Sequence, residues 1–304
     1  TSNEAGIVFR KDKTFLLDWM QVYMEAQESA GKKDGSQIKI AMRILKDYAG
    51  EMVTLDQIDG DFCRGYITYL LTEYHPKGKD ISNYTLHNYY RALNGALNSA
   101  VRKKKMKANP FNELEKSEKI RKPESMRSYM TIEEVQALID TPMPHEEYEI
   151  VKCAYLFSCF CGLRISDIIK LKWNDVFVDR GQYRLAVSMK KTKEPIYLPL
   201  SPEALKWMPE RGGKSSEDNV FDLPSANTIR MQLKPWAKAA GISKRFSYHT
   251  SRHTFATMML TLGADLYTVS KLLGHADVKM TQVYAKIINK KKDEAVNLVN
   301  GLFH

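Results

Sequence analysis

Asn109-Pro110 and the stretch behind it constrain this chain more than any other feature. Up to that point apolar residues recur at helical spacing. From Glu113 to Arg127 the sequence is charged and shows neither a helical period nor the alternation of a strand, as a linker would. A new start signal follows at Thr131-Ile132-Glu133-Glu134, a capping box ahead of Val135, Leu138 and Ile139. The break implies two domains, which suits a length of 304 residues, beyond the usual size of one hydrophobic core. The expected division is a helical domain over 1–111, a linker over 112–128 and a second domain over 129–304.

The first domain reads as a small helical bundle. One helix runs from about Thr14 to Ser29, and a second carries Ile38, Ala41, Met42, Leu45 and Tyr48 on one face. A third places Phe62, Tyr66, Tyr69 and Leu70 together before His75-Pro76 ends it. A fourth begins near Ser82, carries Leu86, Leu93, Leu97 and Ala100, and ends in Arg102-Lys103-Lys104-Lys105. That basic run either complements the helix dipole as a solvated end or contacts phosphates. In the second domain an apolar helix covers about Tyr148 to Cys161 and stops at Gly162, and a short one covers Ser166 to Leu171. Tyr183 to Ser188 and Ile196 to Leu200 form a hairpin around a basic turn, Lys190 to Pro195. Helices follow over 226–240, 250–262, 266–273 and 278–287, with a last one from about Asp293. The fold class is mainly α with a small β-hairpin, and the second domain is α+β.

The 46 Lys and Arg against 36 Asp and Glu give a net charge of +10, which favours a polyanionic partner, nucleic acid first and a membrane surface second. No apolar stretch reaches the roughly 18 residues needed to span a bilayer, and the N-terminus lacks a charged-then-apolar signal layout, so a cytoplasmic protein is expected. Cys63, Cys153, Cys159 and Cys161 lack the even spacing of a disulfide framework. The last three lie in or beside an apolar run, where free Cys packs as a small core residue; a soft metal site is the weaker reading. The chain begins at Thr1, which fits either processing or a fragment of something longer.

Four segments of the second domain carry side chains suited to phosphate chemistry. Arg164 follows an apolar helix and Gly162, a place from which a guanidinium can hold two phosphate oxygens. Asp167, one turn on, is placed to orient Arg164 or simply to cap a helix. In His249-Thr250-Ser251-Arg252-His253 residues three apart share a face, so His249 and Arg252 point to one site and His253 stands one position on. No acidic residue or Cys sits at ligand spacing beside these histidines, which disfavours zinc. Gly274 lets the chain turn and present His275 at a helix end. Tyr284, taken alone, reads as a half-buried helix residue. As a nucleophile it needs cations around itself and its phosphate, and Arg164, Arg252, His249 and His275 supply that set. Lys190, Lys191 and Lys193 on the hairpin turn compete as donors of a proton to a departing oxygen, against the plainer reading of a solvated basic turn.

In this order these residues resemble the tyrosine recombinase (phage integrase) family: an Arg after Gly-Leu, a Lys in a hairpin ending in Leu-Pro-Leu, His-x-x-Arg-His, Leu-Gly-His and a terminal Tyr. The likeness covers about Thr131 to Ala285, and the first domain is similar to the family's core-binding, SAM-like domain, with Asn109-Pro110-Phe111 like its usual end. The resemblance implies a C-shaped clamp of two domains around duplex DNA carrying specific attachment sites. It also implies a 3′-phosphotyrosyl bond through Tyr284, strand exchange through a Holliday junction, and no ATP or metal cofactor. By the same likeness Arg164 and Arg252 clamp the non-bridging oxygens, His249 handles the tyrosine proton, Lys191 is the general acid and His275 hydrogen-bonds the phosphate. Asp167 and His253 support, His253 by packing. From their charge alone, Arg102, Lys103, Lys104, Lys105, Lys190 and Lys193 are candidate contacts to the DNA backbone. The family acts as tetramers with accessory DNA-bending proteins in some members, and 293–304 fits the helix that docks on a neighbouring subunit, in trans rather than in cis. The stretch ahead of Thr14 is too short for an arm-binding domain, which fits a simpler recombinase or a truncated integrase. Integration of a mobile element is the expected task. A type IB topoisomerase would share the nucleophile without joining two sites, and a DNA-binding regulator would form no covalent adduct.

Overall fold

Short polar side chains set where the helices begin. The computed structural model describes residues 13–32, 35–123, 127–188 and 195–285. It divides between residues 125 and 126 into two compact units. The first is built on α1 (Leu16–Ser29), α2 (Gly35–Ala49), α3 (Gly60–Thr72) and α4 (Asn83–Arg102). Asp59 caps α3 by accepting the Phe62 N–H at 2.8 Å, and Ser82 caps α4 through Thr85. The apolar faces close on one core containing Met20, Ile44, Leu45, Tyr66, Leu93 and Leu97, and the Trp19 indole N–H donates across it to the Ala96 carbonyl at 2.8 Å.

The expected linker differs from what folds. Asn109 is buried, and its side-chain amide donates to Asn94 Oδ1 at 2.7 Å and Asn98 Oδ1 at 2.8 Å, while its Oδ1 accepts the Phe111 N–H. The break is therefore a turn pinned to α4. Beyond it Leu114 and Ile120 are buried in the first core, and Arg64 of α3 pairs with Glu118 at 2.8 Å. Two apolar residues six apart match no regular period, so an irregular segment anchored by them leaves no pattern in the sequence.

In the second unit Thr131 and Glu134 form the expected reciprocal cap of α5 (Ile132–Asp140), with bonds of 2.8 and 3.2 Å. Helix α6 (Glu149–Cys161) is apolar on nearly every side and is accordingly the central helix, with Val151, Ala154, Tyr155, Leu156, Phe157, Cys159 and Cys161 all buried. Tyr155 stacks on Phe246 at 4.9 Å and meets Trp236 and Tyr248 edge-on. Burial drives the Cys161 thiol up to about 12 and raises that of Cys159 well above the ordinary thiol range, so both pack as neutral core groups.

After the short α7 (Ile165–Ile168) comes a sheet of three antiparallel strands in sequence order, β1 (Val176–Asp179), β2 (Gln182–Ser188) and β3 (Pro195–Pro199). Leu185 faces Val176 on one side and Leu198 on the other. The hairpin expected from the sequence is β2–β3; β1 is an addition, joined to β2 through Arg180 and Gly181, at φ 50° and 77°. Two consecutive positive φ values are those of a tight hairpin turn whose twist matches the strands. The chain then returns to helix in α8 (Pro202–Leu205), α9 (Ala226–Ala239), α10 (Tyr248–Thr261), α11 (Leu266–Leu272) and α12 (Lys279–Ala285). The last expected helix, 293–304, lies outside the described residues. Among the described residues no helix is long and apolar enough to cross a membrane.

Candidate active site

The site is assembled where two helices end against the head of a third. Helix α6 ends at Gly162, at φ 75°, and a Cβ there would stand 2.6 Å from Phe255 Cδ1 and 3.1 Å from Leu273 Cδ2. Glycine is required both for the left-handed turn and for the close approach of α6 to α10 and the end of α11. That approach brings the carbonyls of Gly162 and Leu273 to Arg252 on α10, which donates from Nη1 to the first at 2.7 Å and from Nη2 to the second at 2.5 Å. Both carbonyls sit at helix C-termini, where unsatisfied acceptors and the negative dipole end favour a cation. Arg252 is buried; desolvation and the neighbouring Arg164 lower its pKa to about 10, still far above neutrality, so it stays charged. The guanidinium has five N–H donors, and two are used in this anchoring.

Arg164 precedes α7 with its side chain one-third exposed. Asp167 accepts its backbone N–H at 3.3 Å and stands 4.0 Å from its Nη1, so this carboxylate fixes the turn more firmly than it ties down the guanidinium. His275 follows Gly274, at φ 59°, and its Nδ1 lies 2.7 Å from Thr281 Oγ1. Burial first, then the charges of Arg252, Arg164 and Arg127, drive its pKa down to about 4. His249 is exposed at the start of α10, and its pKa is lowered by desolvation and by the same three arginines.

Tyr284 is 1% exposed on α12, in one core cluster with Phe255, Leu260, Val269 and Leu273. Among the described residues its hydroxyl has two partners, Arg127 Nη1, which donates at 2.9 Å, and His253 Nδ1 at 2.5 Å. The Arg127 guanidinium also lies 5.2 Å from the ring centroid. The sequence reading gave the tyrosine proton to His249 and left His253 to packing. In the structure His253 holds the hydroxyl, and His249, one turn earlier on the same face, meets the His253 ring edge-on at 4.5 Å. The reason is helical geometry: positions four apart align, and α12 reaches α10 beside the later one. Burial, then His249, Arg127, Arg252 and His275, push the His253 pKa down to about 3.

Arg127 was missed altogether. It ends the charged stretch read as linker, 157 residues from its partner, and nothing in local spacing marks it. The structure thus gathers Arg164, Arg252, His249, His253, His275 and Tyr284 in one unit and adds Arg127. Lys190, Lys191 and Lys193 lie outside the described residues, and Arg102 to Lys105 are exposed on the first unit. Among the described residues no group of three or more His, Cys, Asp or Glu is placed to hold a metal.

The site thus sets a buried tyrosine among arginines and histidines, on a mixed unit that follows a helical one. Comparison with known proteins gives the family: the phage integrase family model matches residues 128–291 and the phage integrase SAM-like domain model matches 15–121, so this chain belongs to the phage integrase family and is a tyrosine-type site-specific DNA recombinase. A tyrosine recombinase of Pseudothermotoga lettingae is 29% identical over 242 residues, 72% of this chain and 82% of its own length. Tyrosine recombinase XerD of Vibrio vulnificus is 32% identical over 56% of this chain and 59% of its own length. Among solved structures, the Tn1549 transposon integrase with transposon right-end DNA aligns at a TM-score of 0.70 with 16% identity, over 94% of this chain and 99% of that one. A lambda integrase dimer on a core site aligns at 0.64 with 21% identity, over 89% and 95%. Those likenesses show the shared fold.

Proposed function

We propose that this protein cuts and rejoins DNA through a 3′-phosphotyrosyl intermediate on Tyr284, exchanging strands through a Holliday junction to move a mobile element. The observation that carries it is that Arg252 lies within electrostatic reach of Arg164, Tyr284 and His275, each from a separate segment. In the reaction the Tyr284 oxygen forms a bond to phosphorus and the bond from phosphorus to the 5′ oxygen breaks; the 5′ oxygen takes a proton, and the ester keeps the energy for rejoining. Arg164 and the unused donors of Arg252 hold the two non-bridging oxygens, a contribution of about 3–4 kcal/mol for a preorganised donor. His275 and the exposed His249 hydrogen-bond the same phosphate, and Lys191 of the hairpin turn donates the proton to the leaving oxygen. The partners are duplex DNA with paired attachment sites and further copies of this chain in a tetramer, the 293–304 segment docking in trans, with accessory DNA-bending proteins at some sites. The likeness to a transposon integrase supports the mobile-element role at the level of fold.

A nicked suicide substrate of the protein's own attachment site, incubated in EDTA and run on a denaturing gel, tests the reading. Wild type is expected to give a 3′-linked adduct and Tyr284→Phe none. Tight binding with no adduct in wild type would favour a regulator that binds DNA without cutting it.

A further inference from the structure

We propose that Arg127 and His253 are two further catalytic residues, which activate the nucleophile: His253 Nδ1 takes the Tyr284 proton, and Arg127 holds the phenolate oxygen left behind as it attacks phosphorus. The inference rests on the Tyr284 reading above. Among the described residues these are the two polar groups on the reacting oxygen itself, at 2.9 and 2.5 Å. Arg252 and His275 have other partners, two carbonyls and Thr281, and His249 reaches the tyrosine's side of the site through the His253 ring.

Arg127 is held by a built strap rather than by chance. The Met130 N–H donates to Thr254 Oγ1 at 2.9 Å, Met130 is buried, and Lys244 donates to the Tyr129 carbonyl at 2.9 Å. Thr254 directly follows His253 on α10, so one helix positions both groups that meet the hydroxyl. The chemistry balances within the site. The phenol O–H breaks, its proton passes to a neutral imidazole, and the anion produced lies against a guanidinium that is always charged. Burial first, then the electrostatic influence of His249, Arg127, Arg252 and His275, keeps His253 unprotonated in the absence of an anion. A phosphodiester brought between Arg164 and Arg252 adds negative charge to that field and raises the basicity of His253. The base is therefore strengthened by the substrate it serves.

The test is single-turnover cleavage of the suicide substrate by Arg127→Ala, Arg127→Lys, His253→Gln and Lys191→Ala, beside wild type. It uses two scissile groups, the natural phosphodiester and one whose 5′ bridging oxygen is replaced by sulfur, a leaving group that needs no proton. DNA binding and thermal unfolding are measured on every variant. Arg127→Ala and His253→Gln are expected to cleave the natural substrate on the order of 10²-fold more slowly and to gain nothing from sulfur. Arg127→Lys recovers part of the rate, Lys191→Ala is rescued by sulfur, and His253→Gln changes the pH profile so that its rate climbs steadily with pH. Wild-type rates in Arg127→Ala with intact folding, or sulfur rescue of Arg127→Ala and His253→Gln, would overturn the assignment. Wild type without a Tyr284-dependent adduct would instead overturn the recombinase reading beneath it.

Discussion

At the scale of single residues, the site is a collection of arginines and histidines kept close by uneven means. Arg252 is anchored at both ends of its fork, so Arg252→Lys keeps the charge but cannot reach both carbonyls. We expect that variant to lose about 1–3 kcal/mol of stability in urea titration, besides most of its cleavage. The histidines give a pH signature. His253 and His275 have folded pKa values near 3 and 4, below the roughly 6.5 of an unfolded histidine. As pH falls below 6.5 the unfolded chain takes up protons that the folded chain refuses. Stability is thus full above that pH and declines from about 6.5 toward 4, by up to about 1.4 kcal/mol per pH unit for each group. Urea midpoints at pH 7, 5.5 and 4.5 should show the decline in free protein, and His253→Gln and His275→Gln should flatten it. Arg164, Arg252, His275 and Tyr284 could be singled out in the sequence because each sits in a short motif of compatible chemistry. The contacts of Arg127 and His253 with the Tyr284 hydroxyl could not, because they depend on which turn of α10 meets α12, a tertiary fact.

At the scale of elements, what decides the site is the meeting of the ends of α6 and α11 with α10. Gly162→Ala would put a Cβ into Phe255 and force a side-chain residue into a left-handed turn. We expect it to cost about 1–3 kcal/mol and to displace the carbonyl that anchors Arg252, lowering cleavage along with thermal stability. Helix starts and periods were readable from caps and apolar spacing, as at Thr131-Glu134 and along α4. Strand β1 was not: four residues give too short an alternation, and its membership in the sheet depends on pairing with β2. The packing of Leu114 and Ile120 was equally hidden, since burial without a period carries no local mark.

At the scale of the whole molecule, two separately cored units share an excess of positive charge of +10. Affinity for duplex DNA should fall linearly with salt on a log–log plot, by a slope of about 0.9 for each phosphate neutralised. Replacing Arg102, Lys103, Lys104 and Lys105 by Ala is expected to flatten that slope and weaken binding to all sequences alike. An unchanged slope would make the run a solvated helix end. The two-domain organisation was legible from one break in periodicity, and the family from motifs of the second unit. The measurement that tests the central claim most directly is mass spectrometry of the protein trapped on a suicide substrate in EDTA. The account predicts a nucleotide joined through phosphate to Tyr284, and no adduct in Tyr284→Phe. An adduct on any other residue, or one that persists in Tyr284→Phe, would contradict it.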